Sequence, residues 1–196
     1  LIVIHSLVCD GVSWWILLSD LNALICAPDQ EHNLPEKTYS IKQWAESQSD
    51  YEKNSSANKE LSYWQNIDQT DAQAFKQLAT NAPDNTVKQR ELVVEIDQQQ
   101  TKTLLLELPK KMSVPIQDVL LTAFIHTILG VTDAQSFKID IEGHGREGFG
   151  QNISTHRTIG WFTSIYPLLI SSASLLLTGK DLKVVKEWVK QVPNHG

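Results

Sequence analysis

Apolar positions divide the chain into short strands and helices. Leu1 to His5 is an apolar run closed by a histidine, the pattern of a buried strand. Trp14, Leu17, Leu18, Leu21, Leu24 and Ile25 recur at three- and four-residue spacing, which predicts a helix with one buried face. Residues 28–40 hold Pro28 and Pro35 among polar residues and read as a connector. Ile41 to about Ser49 reads as helix, and Leu61, Tyr63 and Trp64 fall in another short helix. Residues 65–86 lack a clear period and read as loop with one helical turn. Leu92, Val94 and Ile96 alternate between Glu91 and Asp97, which predicts a half-buried strand. Gln98 to Leu108 is helical by composition. Pro115 suits the first turn of a helix running to about Leu129, apolar nearly all round and so expected to be buried. Phe137, Ile139 and Ile141 alternate into a strand that ends at Glu142-Gly143-His144-Gly145, and Ile165 to Ile170 is a further strand. Lys180 to Gln191 is an amphipathic helix with Leu182, Val185, Trp188 and Val189 inward. The mixture makes the fold class α/β or α+β.

Composition narrows the function. A chain of 196 residues makes one domain or one large lobe. The net charge of −6 argues against a nucleic-acid partner, which needs a basic face, and against an anionic membrane surface. Cys9 and Cys26 are too few for a disulfide framework and lack metal-ligand spacing, so a reducing, cytoplasmic setting is expected and no metal is assigned. No apolar run reaches the roughly 20 residues of a membrane helix. The opening Leu1-Ile2-Val3-Ile4 reads as a strand already in progress and the close at Pro193-Asn194-His195-Gly196 as a turn, so the chain is expected to be part of a longer polypeptide, truncated at both ends.

Three stretches differ from ordinary core or loop: His5 to Trp14, where a strand runs through Asp10-Gly11 into a helix; Glu142 to Glu147; and Arg157 to Thr163. Gly143, Gly145 and Gly148 match the dinucleotide-binding G-x-G-x-x-G. That reading is rejected, because residues 149–160 show no helical period to place amides at a pyrophosphate, and no acid follows a second strand at the required distance.

The first stretch resembles the H-H-x-x-x-D-G motif of condensation domains of nonribosomal peptide synthetases, continued by D-G-x-S-W-x-x-L-x-x-D-L from Asp10 to Leu21. The second and third are similar to the E-G-H-G-R-E and R-T-x-G-W-F-T-x-x-Y-P blocks of the epimerization subtype. Trp44, Tyr63-Trp64, Val185-Lys186-Glu187 and Pro193-Asn194 fit as well, so the resemblance covers the whole chain in order. It implies a chloramphenicol-acetyltransferase-like α/β fold (an α+β sandwich) of two lobes with a tunnel between them. Residues 1–25 would be the motif strand and helix of the first lobe, and residues 26–196 most of the second. The rest of the first lobe and the neighbouring synthetase modules would be partners. So would a peptidyl carrier protein, which presents the substrate as a thioester of its phosphopantetheine arm; no cofactor is bound directly.

The subtype implies inversion at the α-carbon of that aminoacyl or peptidyl residue. Inversion beside a thioester needs a base for the α-proton, an acid on the other face, and donors for the enolate oxygen. The family places these proton-transfer roles on the second histidine of the first motif and the glutamate of the second. Aligned on Asp10-Gly11, the first histidine is His5 and the second position holds Ser6, so Glu142 is the surviving catalytic carboxylate. A serine hydroxyl is not a general base at neutral pH without a partner, so impaired epimerization is expected. A condensation (amide-forming) domain, a dual domain, and a catalytically silent scaffold lobe are the alternatives.

His5 alone reads as a strand-end imidazole bonded to backbone. Asp10 reads as a helix cap; the resemblance assigns it a structural ion pair, with no arginine partner identifiable from sequence. Gly11 would give room for backbone or ligand approach, Ser13 would start the helix and Trp14 would be core. Arg146 reads as an ion-pair residue. His144, Trp161 and Tyr166 read as packing or loop residues, and the resemblance places all three, with Arg146, near the tunnel. His32, His126, His156 and His195 have no recognisable partner. Lys183, Lys186 and Lys190 make a solvated basic stripe or, alternatively, a contact for an acidic carrier helix. A lobe without its partner would expose an apolar wall and aggregate.

Overall fold

The computed structural model describes residues 1–28, 34–53, 55–70, 91–132, 134–146 and 153–196. The elements in order are a 3₁₀ turn Ser6–Val8, α1 (Gly11–Cys26), α2 (Ile41–Glu52), α3 (Ser55–Gln69), α4 (Gln98–Lys102), a π turn Thr103–Glu107, α5 (Leu108–Met112), α6 (Ile116–Val131), β1 (Ser136–Gly143), β2 (Ser164–Ser171) and α7 (Asp181–Gln191). Short 3₁₀ turns follow β2 and α7. Helices and sheet are mixed, as the sequence implies. No single described helix is long and apolar enough to cross a membrane.

Three helices, α1, α2 and α4, start where a side chain meets their first amides. Ser13 N–H donates to the Asp10 carboxylate at 2.7 Å. Ser40 with Gln43, and Asp97 with Gln100, form reciprocal capping boxes for α2 and α4. Pro115 is the N-cap of α6, one position ahead of its first turn. The helix expected from Gln98 to Leu108 is present but widens into a π turn over Thr103–Glu107. Pro109 follows directly; it brings no N–H to bond one turn back and its ring crowds that turn, and the wider π register accommodates both.

Strands β1 and β2 form a two-stranded sheet. Ser172 N–H, just past β2, donates to the carbonyl of Gln135, just before β1, so the pair is antiparallel. Two strand expectations fail. Residues 1–5 and 91–97 carry no ladder, and Leu92 and Val94 are 88% and 78% exposed. Both segments have strand patterning, but a strand needs a neighbour for its N–H and C=O groups, and no described segment pairs with them. Residues 65–69 continue α3 where loop was expected, and residues 71–86 lie outside the described residues, as do 29–33 of the connector.

The chain divides into two compact units. The first comprises Leu1–Gln65, Ile141–Tyr166 and Pro193–Gly196. Its buried residues include Cys9, Ser13, Ile16, Thr155, Phe162 and Tyr166. Trp44 meets the Phe162 ring edge-on at 4.9 Å. Helix α1 departs from the expected apolar face. Ser13 and Ile16 are buried and Trp14 and Leu17 half-buried, but Leu18, Leu21 and Ile25 are exposed and Trp15 is 78% exposed. No described segment covers that stripe.

The second unit comprises Asn66–Asp140 and Pro167–Val192. Ile125 of α6, Phe137 of β1, Ile170 of β2 and Val185 of α7 are fully buried. Val114, Val119 and Leu182 form a cluster on which Leu104, Leu108, Met112 and Ile116 pack. Helix α6 is amphipathic in practice, since Leu120, Phe124 and Val131 are exposed. Trp188 and Val189 of α7 are half-buried.

Candidate functional site

The three stretches singled out in the sequence meet in the first unit, around Asp10. Arg146 Nη2 donates to both Asp10 oxygens, at 2.8 and 2.9 Å, and to Ser13 Oγ at 3.1 Å. Its Nη1 donates to the carbonyls of Thr155 and Thr158, each at 2.8 Å. The guanidinium lies 4.1 Å from the centroid of the Phe162 ring, a cation–π arrangement. Five planar donors in a fixed fork suit this role, which a lysine could not fill. Here is the arginine partner that sequence alone did not identify, 136 residues from Asp10.

Asp10 serves both functions the sequence offered it. One oxygen caps α1 and shares Arg146, while the other also accepts Phe162 N–H at 3.3 Å. Burial raises its pKa; the hydrogen bonds from Ser13 and the bond and charge of Arg146 outweigh that and hold the carboxyl below the ordinary aspartate value. Ser13 does more than start a helix. It is fully buried, donates to Gly160 O at 2.9 Å and accepts Gly160 N–H at 3.0 Å. Asp10 N–H also donates to Gly160 O. The signal for this role was the shared motif order, not any local spacing. Arg157 adds a second tie, with Nη2 donating to both oxygens of Asp20 on α1 at 2.5 and 2.6 Å.

Residues proposed for chemistry lie at the margins of this hub. Glu142 is the penultimate residue of β1 and is exposed. Two residues on, exposed His144 accepts Arg146 N–H on Nδ1 at 3.3 Å, so in the neutral ring Nε2 carries the proton. Gly145 then turns with φ +60°, and a Cβ there would stand 1.7 Å from the Phe162 carbonyl oxygen. Only glycine permits that approach, and it lets Arg146 turn inward while Glu142 and His144 stay exposed.

His5 and Ser6 are exposed at the opening 3₁₀ turn. His5 Nδ1 accepts Leu7 N–H at 3.1 Å, which makes its Nε2 a donor in the neutral ring. No side-chain hydrogen bond among the described residues joins Ser6 or Glu142 to another site residue. Gly11 opens α1 with no atom within 4 Å of a Cβ added there. Trp161 is 43% exposed rather than core, and Tyr166 is buried with its ring against Gly196. The decoy glycine motif runs into residues 147–152, outside those described; residues 153–160 contain no helix.

Of the remaining histidines, His126 has a partner the sequence did not reveal. Its Nε2 lies 2.9 Å from Asp181 Oδ2 across α6 and α7. Asp181 also accepts Leu176 and Thr178 N–H. His156 Nδ1 lies 2.6 Å from Ser154 Oγ. His32 lies outside the described residues. No group of His, Cys, Asp and Glu among the described residues could hold a metal ion.

A family model described as Condensation domain matches residues 1–196. Bacitracin synthase 2 of Bacillus licheniformis is 34% identical over 198 residues, which is 100% of this chain and 8% of that protein. Surfactin synthase subunit 1 of Bacillus subtilis (strain 168) is 33% identical over 199 residues, 100% of this chain and 6% of its own length. Among solved structures, the epimerization domain from the third module of tyrocidine synthetase B superposes with a TM-score of 0.77 at 31% identity, over 97% of this chain and 43% of that one. The first condensation domain of the calcium-dependent antibiotic synthetase, with substrate analogue 2a, gives a TM-score of 0.68 at 16% identity, over 98% of this chain and 42% of that one, a likeness of fold alone. The chain thus spans a small fraction of these curated relatives and less than half of the solved domains.

Proposed function

We propose, from the premise that this chain belongs to the condensation-domain family, that it is part of a nonribosomal peptide synthetase and is of the epimerization type. Its substrate is an aminoacyl or peptidyl thioester on the phosphopantetheine arm of a peptidyl carrier protein. The observation that carries the reading is the Asp10–Arg146 hub, because it joins the D-G motif of condensation domains to the E-G-H-G-R and G-W-F stretches that resemble the epimerization subtype. The 31% identity to an epimerization domain supports it.

In this reading Glu142 takes the α-proton as a general base. His144, with a donor at Nε2, is suited to the enolate oxygen, where charge develops. Asp10, Ser13 and Arg146 position the loop and touch no reacting atom. Return of a proton on the opposite face falls to the position of Ser6, whose hydroxyl is a poor proton-transfer group at neutral pH. Loss of one such group lowers rates by about 10²–10⁴-fold. Inversion is therefore impaired while proton removal persists.

The experiment uses the parent synthetase. Its carrier is loaded with an L-aminoacyl thioester, and the released residue is resolved by chiral chromatography. The D isomer is expected to form slowly and about 10²–10⁴-fold faster with Ser6→His. No D isomer in either protein overturns the reading. Ser6 itself favours a second reading, a scaffold lobe without chemistry, which predicts that second result.

A further inference from the structure

We propose that a cleft in the first unit, apart from the Asp10 hub, is a binding site for a phosphate-class oxyanion. The cleft has a volume of about 430 Å³ and is lined by Lys37, Thr38, Tyr39, Gln43, Ser154 and His156. Among its described lining residues none is a carboxylate, and Lys37, Tyr39, Gln43 and His156 bring side-chain donors to it. That is an unusual stretch of surface on a chain of net charge −6. A tetrahedral phosphate accepts bonds from several directions, and a lysine serves it as a point charge.

The walls are fixed before any ligand arrives. One is the segment ahead of α2, the other is residues 153–158, and four bonds join them. Tyr39 N–H donates to Ser154 O at 3.1 Å. Arg157 N–H donates to Thr38 Oγ1 at 3.2 Å. Thr38 and Thr158 hydroxyls lie 3.0 Å apart, and Thr158 Oγ1 also bonds to Tyr39 O. The donors are oriented too. Gln43 Oε1 takes Ser40 N–H at 2.8 Å and Ser40 Oγ at 3.0 Å, which leaves its amide NH₂ to donate. Ser154 Oγ lies 2.6 Å from His156 Nδ1, and in the tautomer in which the hydroxyl donates, His156 Nε2 carries the ring proton. The cleft is of the size of small-molecule sites, larger than one phosphate requires, so the oxyanion belongs to a larger ligand. Two sources share the chemistry: a free phosphorylated small molecule, or the phosphate of the phosphopantetheine arm. Only the second rests on the proposed function.

Isothermal titration of the parent protein with inorganic phosphate, glycerol phosphate and pantetheine 4′-phosphate, against matched sodium chloride, tests the site. Saturable one-site binding is expected, weakened at least about tenfold by Lys37→Gln and by His156→Gln. Lys42→Gln, on the exposed face of α2, leaves it unchanged. Lys37 and His156 are both exposed, so the variants keep the fold, which a thermal melt confirms. Tighter binding of pantetheine 4′-phosphate than of glycerol phosphate identifies the arm as the source; equal binding identifies a free phosphorylated ligand. Heat that does not saturate, or binding that the two variants leave intact, overturns the proposal whatever the isomerisation assay finds.

Discussion

Arg146 holds Asp10 through both carboxylate oxygens, at 2.8 and 2.9 Å, while the same carboxylate caps α1 through Ser13 N–H. One buried charge thereby fixes the start of α1, the loop after β1 and the entry to β2. Both side chains are under 10% exposed. Removing one partner strands the other charge, which costs about 3–5 kcal/mol. Arg146→Met is expected to lower stability by that amount in urea unfolding, and Arg146→Lys to recover only part of it, because a lysine cannot donate to Asp10, Thr155 and Thr158 together. Full recovery by lysine would show that charge alone matters.

Acid should loosen both units. Asp10 and Asp181 titrate below the ordinary aspartate value of 3.8. Burial raises each. For Asp181 this is outweighed by the amides of Leu176 and Thr178 and by the bond and charge of His126. A carboxyl depressed by folding contributes stability that is fully present above its unfolded value and lost as pH falls through the folded one. Urea midpoints should therefore hold down to about pH 4 and fall below it. Asp181→Asn should flatten that fall; an unchanged slope would remove Asp181 from the account.

Gly145 and Gly11 should respond in opposite ways to alanine. At Gly145 the left-handed φ and the 1.7 Å approach to Phe162 O make alanine destabilising by at least about 2 kcal/mol. At Gly11 an added Cβ meets nothing within 4 Å, so Gly11→Ala should leave the melting temperature unchanged or raise it. A loss of turnover in Gly11→Ala at full stability would assign its open space to substrate; equal destabilisation at both glycines would contradict the geometry.

The exposed stripe of α1 should govern solubility. Trp15, Leu18 and Ile25 are 78%, 50% and 69% exposed. Contiguous apolar surface of this kind associates. The 196-residue chain alone is expected to elute as aggregate in size-exclusion chromatography, with Trp15→Glu shifting it toward monomer. A soluble monomer with a sharp two-state melt would mean the stripe is tolerated in water.

Local pattern made α1, α2, α7, β1 and β2 legible, since each carries its own period and α1 and α2 their own caps. It failed at 91–97, where Leu92, Val94 and Ile96 alternate as a strand should but no neighbouring strand is written into the same residues. It failed at the π turn for a related reason, because Pro109 acts on the turn before it. The candidate site was legible as three motifs, not as geometry. Arg146 and Asp10 are 136 positions apart, and His126 and Asp181 are 55 apart, so no spacing rule links them. Ser13 looked like a helix starter because its role depends on Gly160, which the fold alone brings near.

Solvent exchange at the substrate α-carbon tests the central claim, that Glu142 retains proton removal while Ser6 has lost proton return. The parent synthetase is loaded with an L-aminoacyl thioester in deuterated water, with Glu142→Gln and Ser6→His beside the native protein. The account predicts deuterium at the α-carbon in the native protein, none in Glu142→Gln, and faster inversion with Ser6→His. No exchange in the native protein or in Ser6→His would contradict it.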